Sequence, residues 1–371
     1  MPHDCRLVME ESKIIIEEDE QITNPGLVRL QNGDLLLTAS ETHHVHDQTY
    51  VYRSADGGHT WSKRAEIQHK PRALDFDAVA RYTQGLCILE SGRLVMTYSE
   101  LGQTQSDLAD HKWQFDRLES VQYGLYSNDE GKTWHYTNEM DVSPFLSFCP
   151  YACGAIFEDD DGTLVSSFRG HLNRTELDQG TTSTGLVRSH DGGLTWGDAN
   201  ALHLAVPDSY EWFNENAVIP VADDRWLNMS RCNYTDASPS SVRDICILHS
   251  NDKGRTWSEP IKTGIFGGEG FLLTLPDADL LYVWAHTNPE VHLDEGEPIG
   301  IYHATSDDDG QTWSERQILY RRPPERPREH LGTAVAAIMD DETVLVVYHC
   351  GRIEHGEGKM ILAASWVKRV G

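Results

Sequence analysis

Short apolar runs alternate with tight polar turns along almost the whole chain. Leu27-Val28-Arg29-Leu30 leads through Asn32-Gly33-Asp34 into Leu35-Leu36-Leu37, and Leu86-Cys87-Ile88-Leu89 leads through Ser91-Gly92-Arg93 into Leu94-Val95-Met96. The grammar returns in Ala155-Ile156-Phe157, Asp161-Gly162 and Leu164-Val165. Later pairs are Ala217-Val218-Ile219 with Trp226-Leu227-Asn228-Met229, Phe271-Leu272-Leu273 with Leu280-Leu281-Tyr282-Val283, and Val335-Ala336-Ala337-Ile338 with Val344-Leu345-Val346-Val347. Runs this short, bounded by Asn-Gly or Asp-Gly, predict hairpin-joined β-strands, because an amphipathic helix needs a longer stretch with a 3.6-residue period. Six such units follow a β-rich opening at Ser12-Lys13-Ile14-Ile15-Ile16-Glu17.

A second pattern is laid over the first. Ser54 to Trp61 reads SADGGHTW, and the form S-x-D-x-G-x-T-W returns at Ser127, Ser189, Ser250 and Ser306, at intervals of 73, 62, 61 and 56 residues. A short Asp accepts the backbone N–H groups of its own turn, and the Gly two residues on adopts positive φ without a Cβ clash. The Thr-Trp that follows opens an extended segment and offers a large indole for packing. The spacing suits a blade of four short strands and exceeds a solenoid coil.

These five copies resemble the Asp-boxes, or BNR repeats, of the sialidase superfamily. The resemblance implies an all-β fold, a six-bladed β-propeller whose N-terminal strand closes the last blade, with the boxes on the outer turns away from the active-site mouth. A closed propeller is one packing system, and no Ser-, Gly- or Pro-rich linker divides the sequence, so residues 1–371 are expected to form a single domain.

A formal net charge of −28 repels a nucleic-acid backbone and an anionic membrane surface, which points away from both as partners. The first residues, Met1-Pro2-His3-Asp4-Cys5-Arg6, lack the basic-then-apolar form of a secretion signal, and nowhere do about twenty apolar residues run together. Seven scattered cysteines suit a reducing compartment better than a disulfide framework. A cytoplasmic protein with a carbohydrate substrate and no cofactor is the expectation; the sequence leaves the oligomeric state open.

In a propeller the starts of the inner strands and the loops after the second strands meet at one mouth, which gathers the chemistry-bearing residues. The segment Trp212-Phe213-Asn214-Glu215-Asn216, followed by Leu227-Asn228-Met229-Ser230-Arg231, resembles the sialidase stretch in which a Glu activates a nucleophilic Tyr and an Arg helps to clamp the substrate carboxylate. That resemblance implies catalytic roles for Glu215 and Arg231, although the two also suit a structural salt bridge. Asp47, in the loop after the second strand of blade one, matches the position of the family's acid/base Asp, and it also suits a turn cap. Further residues expected at the mouth as substrate contacts are Asn24, His44, His46, Arg81, Arg169, His171, Glu269, His286, His330 and Tyr348. Their histidines line a sugar pocket in this reading, and no compact ligand spacing marks a metal site.

The chain departs from the family pattern at three places. Asn24-Pro25 stands where an Arg is expected, residues 288–297 hold no Arg, and Glu329-His330-Leu331-Gly332 stands where the nucleophilic Tyr is expected, with Tyr348 one strand away. A clamp with one Arg of three loses most of its charge-assisted hydrogen bonds, each worth on the order of 1.5–3 kcal/mol. The expectation is therefore a sialidase-like glycoside hydrolase acting on a sugar other than a standard sialoside. A uronate lyase using His330 and Tyr348, and a non-catalytic glycan-binding propeller, remain as alternatives.

Overall fold

A computed structural model of the chain describes residues 6–17, 22–41, 48–68, 78–103, 119–149, 156–179, 181–197, 202–203, 210–234, 244–268, 270–277, 279–286, 298–325, 330–340, 342–354 and 357–370. The strands form six small antiparallel sheets. Blade one is β2 (Ile22–Arg29), β3 (Leu35–Glu41), β4 (Gln48–Ser54) and β5 (Ser62–Gln68). Blade two is β6 (Ala78–Ile88), β7 (Leu94–Gln103), β8 (Glu119–Ser127) and β9 (His135–Glu139). In blade three, β10 (Ser147–Cys149) and β11 (Ile156–Glu158) both pair with β12 (Leu164–His171), which leads outward to β13 (Ser183–Ser189) and β14 (Leu202–His203). A short helix, α1 (Arg174–Gln179), connects β12 to β13.

Blade four is β15 (Tyr210–Ala222), β16 (Arg225–Tyr234), β17 (Asp244–Ser250) and β18 (Ile261–Phe266); blade five is β19 (Gly270–Thr274), β20 (Leu280–His286), β21 (Gly300–Ser306) and β22 (Gln317–Arg321). Blade six runs β23 (His330–Ile338), β24 (Thr343–Glu354), β25 (Glu357–Val370) and then β1 (Arg6–Ile16). The first strand thus closes the last sheet, with Leu7 opposite Arg369 and Ser12 opposite Ser365. The expected six-bladed propeller is what the chain forms. No helix of the described residues is long and apolar enough to cross a membrane.

Alternation of side chains along each second strand divides the packing between two neighbours. Leu35, Leu37 and Ala39 of β3 face blade six, whereas Leu36 faces Leu94, Met96 and Tyr98 of blade two. Burying one such Leu contributes about 1.5–3 kcal/mol, so the ring gains most of its cohesion between sheets. The blade three–four interface differs, for its apolar cluster is limited to Val165, Leu186, Val218 and Trp226, with Phe157 and Trp257 partly buried beside it. Buried polar residues, among them Ser167, Thr184, Asn216, Asn228 and Ser230, take the remaining places.

The five S-x-D-x-G-x-T-W turns have one geometry. In each, the Asp accepts from the Thr backbone N–H at 2.8–2.9 Å and from the Thr hydroxyl at 2.6–2.7 Å. The Ser hydroxyl accepts from the Gly N–H at 2.8–3.0 Å. Hydrogen bonds from Thr60, side chain first and then backbone, hold Asp56 down to about 2. Each turn also seats against the preceding blade: a Cβ on Gly58 would lie 2.7 Å from Leu345, and one on Gly310 would lie 2.6 Å from Leu227. At the ring closure Trp366 Nε1 donates to the Gly57 carbonyl at 2.8 Å, and the His59 ring stacks on Trp366. The described residues hold no sixth turn, because its place falls between Val370 and Arg6, which are paired strand ends.

Candidate functional site

The registers place the mouth residues at defined heights. Leu164 pairs with Ser189 and Trp226 with Ser250, both first residues of a repeated turn, so β12 and β16 can be counted from a common origin. On that count Arg169 and Arg231 occupy the same height in adjacent blades. Odd and even positions face opposite neighbours, so Arg169 leans from blade three toward blade four. There it meets the inner strand β15, where a bulge between Phe213 and Asn216 re-aims the backbone at Glu215.

Glu215 is 7% exposed and both its oxygens are engaged. Arg231 Nη1 donates to Oε2 at 2.6 Å, and Arg169 Nη1 donates to Oε1 at 3.3 Å. Arg169 and Arg231 are themselves buried. Two guanidinium groups converge on this one carboxylate, and a planar guanidinium suits paired acceptors on a ligand. His171, two residues beyond Arg169 on the same face, is fully buried; burial first and the Arg169 charge second push its imidazole down to about 4, so it stands neutral at pH 7.

His286 ends β20 and is buried, its ring edge-on to Tyr302. It shares the face of Trp284, which packs against Leu227 and Met229 of blade four, and Arg231 shares the opposing face with Met229. His286 and Arg231 therefore border one interface at its mouth end. His349 of β24 is also buried, at the height of Arg169 and Arg231 on its own blade. Asn216, next to Glu215, is 1% exposed, and neither atom of its side-chain amide has a hydrogen-bond partner among the described residues. The Thr184 hydroxyl opposite Arg169 is in the same state.

Two expected contacts have other settings. Asn24 takes a positive φ of 49° in a bulge of β2, and its Oδ1 accepts from Thr333 Oγ1 at 3.2 Å, tying the first inner strand to the last. Tyr348 is fully buried in the cluster between blades five and six. Its hydroxyl lies 3.0 Å from Ser12 Oγ and 3.3 Å from Ser365 Oγ, so it points outward along the closing blade. Its place in the strand turns it into the sheet interface, and the expectation of a substrate contact is corrected accordingly.

Arg81 lies in β6 opposite Glu100, and His330 begins β23 opposite Gly351, with the side chains of both outside the described residues. His44, His46, Asp47 and Glu269 also lie outside them. The structure thus unites Glu215, Arg231 and Arg169 and sets His171 beside them. Pairing of Arg169 with Glu215 escaped the sequence reading, although counting each second strand back from its repeated Ser would have revealed two arginines at one height. Glu100, fully buried and accepting from the Tyr98 hydroxyl at 3.0 Å, was missed as well, since nothing local in its sequence marks it.

An acidic trio, Asp159, Asp160 and Asp161, gathers at the opposite end of blade three. Lys253 already bonds Asp159, at 2.9 Å, and Asp160, which fits a structural ion pair linking the blade-four turn to blade three.

Known proteins place this geometry in context. The profile of the BNR repeat-like domain matches residues 90–289. No curated protein sequence matches the chain. Among solved structures, a protein of unknown function from Dyadobacter fermentans is 20% identical with a TM-score of 0.71, covering 98% of this chain and 99% of its own. A Hadza microbial sialidase is 17% identical at a TM-score of 0.65, over 94% of this chain and 66% of its own. The α-L-arabinanase of Penicillium chrysogenum, solved with arabinobiose, is 13% identical at 0.65, over 97% of this chain and 98% of its own.

Proposed function

Because the chain belongs to the BNR repeat-like domain family, we propose that its mouth is the active site of a glycoside hydrolase of sialidase-like type, acting on a glycan with an acidic or hydroxyl-rich terminal sugar. One observation carries the reading: Glu215 is held by Arg169 from one blade and Arg231 from its own. Glycoside cleavage needs a carboxylate at the anomeric carbon and a proton donor for the leaving oxygen. Glu215 accepts hydrogen bonds on both oxygens, which suits a base or nucleophile, and Asp47 takes the acid/base role in this proposal. Arg169 and Arg231 anchor the sugar, and neutral His171 offers it a hydrogen bond without adding charge.

Arg169 partly compensates for the arginines missing from the family pattern, which supports an acidic sugar more strongly than Arg231 alone. Elimination called on Tyr348, whose hydroxyl is engaged with Ser12 and Ser365, and this favours hydrolysis. Seven scattered cysteines suit a reducing, cytoplasmic setting better than a disulfide framework.

The test is turnover of a panel of neutral and acidic aryl glycosides and oligosaccharides, with products resolved by mass. Hydrolysis adds water across the cleaved bond, while elimination leaves an unsaturated sugar that absorbs in the ultraviolet. Tight glycan binding with no product, or turnover indifferent to Glu215→Gln, overturns the proposal.

A further inference from the structure

The outer edge of blade six is unlike that of any other blade. The outermost strands β5, β9, β14, β18 and β22 are 7, 5, 2, 6 and 5 residues long, whereas β1 has 11. Of the six most exposed large apolar side chains among the described residues, three stand on β1: Val8 at 42%, Met9 at 43% and Ile14 at 46%. One side of the strand is paired with β25, and among the described residues the other is the edge of the sheet. A long, apolar edge offers backbone donors and acceptors to a further strand, and proteins usually blunt such edges unless they use them.

The sequence of β1 also complements itself. Met9 pairs with Val367 and Ile14 with Ala363, two residues of the cluster facing blade five, so Met9 and Ile14 share one face. Glu11 pairs with Trp366 and Lys13 with Ala364, two residues of the cluster facing blade one, so the two charges share the other face. Within one chain they form only a 3.7 Å contact, with side chains 48% and 36% exposed. Antiparallel pairing of two β1 strands about a twofold axis at Ser12 sets Glu11 of each copy opposite Lys13 of the other. Across the bulge at residue 10, Met9 of each copy then meets Ile14 of the other on the second face.

The geometry points to a second copy of this chain as the occupant of the edge: a twofold dimer in which two closing blades join through β1 into one eight-stranded sheet. A single charge type along the strand would repel its copy, and the order Glu-Ser-Lys does the reverse, supplying two opposite-charge cross-strand pairs. This inference is independent of the chemistry at the mouth.

Sedimentation velocity across about 1 to 500 µM chain tests it, with Glu11→Lys and Lys13→Glu as variants. Glu11 is exposed and Lys13 is half-buried over the Trp366 ring, and circular dichroism confirms that the variants fold. The wild type is expected to shift to dimer mass with concentration, and each single variant, facing like against like, to weaken the dimer at least about tenfold. An equimolar mixture of the two single variants is expected to recover dimer. In that mixture the first variant carries lysine at both positions and the second carries glutamate at both, so every cross-strand pair between them is of opposite charge. Neither variant retains the contact within its own chain, so recovery reports pairing between chains alone. A monomer at every concentration, a dimer unmoved by either variant, or a mixture that stays monomeric overturns the proposal.

Discussion

Arg169 crosses from blade three to hydrogen-bond Glu215 on blade four, across the interface with the smallest buried apolar cluster among the described residues. A buried charge deprived of its partner costs about 3–5 kcal/mol, more than replacing the pair together. Arg169→Ala is therefore expected to lower stability by about 3 kcal/mol, and Arg231→Ala, which removes the 2.6 Å partner, by at least as much. In a double-mutant cycle by urea denaturation, Arg169→Ala with Glu215→Ala should cost clearly less than the sum of the single changes. Additivity within about 0.3 kcal/mol would show that the two residues are not energetically coupled.

Glu215→Gln keeps the shape of the side chain, removes its charge and exchanges one of the two accepting oxygens for an amide NH2 that cannot accept from an arginine. Turnover of any active substrate is expected to fall at least about 100-fold, the scale of lost general-base catalysis. Substrate affinity, measured by calorimetry on the inactive variant, should change far less. Equal losses in both would recast Glu215 as a binding residue.

Acid sensitivity follows from His303, which is 2% exposed and has no hydrogen-bond partner on either ring nitrogen among the described residues. Burial pushes it from 6.5 down to about 4. Between these values the unfolded chain binds a proton that the native chain refuses, so native stability falls as pH drops through that window. The loss approaches a value on the order of 3 kcal/mol near pH 4. His303→Leu should remove this component, leaving a shallower decline in denaturant midpoint between about pH 6.5 and pH 4. Parallel profiles for the variant and the wild type would contradict it.

The repeated turns carry a steric demand that is separable from their backbone conformation. Gly254 has a φ of 74°, and a Cβ there would lie 2.7 Å from Trp226 and 2.9 Å from Leu186. Gly162 has a φ of 80°, with nothing among the described residues within 4 Å of the added carbon. Gly162→Ala should cost only the left-handed penalty of about 1–2 kcal/mol. Gly254→Ala should add an overpacking cost of about 1–3 kcal/mol, seen as a larger drop in thermal midpoint.

The fold was legible because its determinants are local and repeated. Asn32-Gly33 and Ser91-Gly92 mark hairpins without reference to anything distant, and the Ser-to-Asp-to-Thr bonds of each turn close within eight residues. The closing role of β1 was legible through the resemblance, which implies an N-terminal strand in the last blade and also accounts for five turns in six blades. The site was harder to read. Glu215 and Arg231 lie 16 residues apart on paired strands, so their meeting follows from one hairpin. Arg169 lies 46 residues from Glu215 and reaches it only through the packing of two blades. Tyr348 misled because proximity to the mouth in sequence says nothing about which face of a strand a residue takes.

Pairing of Val370 with Arg6 has a consequence for how the ring can be cut. Every other blade joins its third and fourth strands through one of five turns of equal geometry, and blade six alone leaves that junction to two separate strand ends. Covalent continuity at this point is thus exchangeable. A circular permutant that joins residue 370 to residue 6 through an S-x-D-x-G-x-T-W segment, and opens instead at Ser127 or Ser306, should close into the same six-bladed ring.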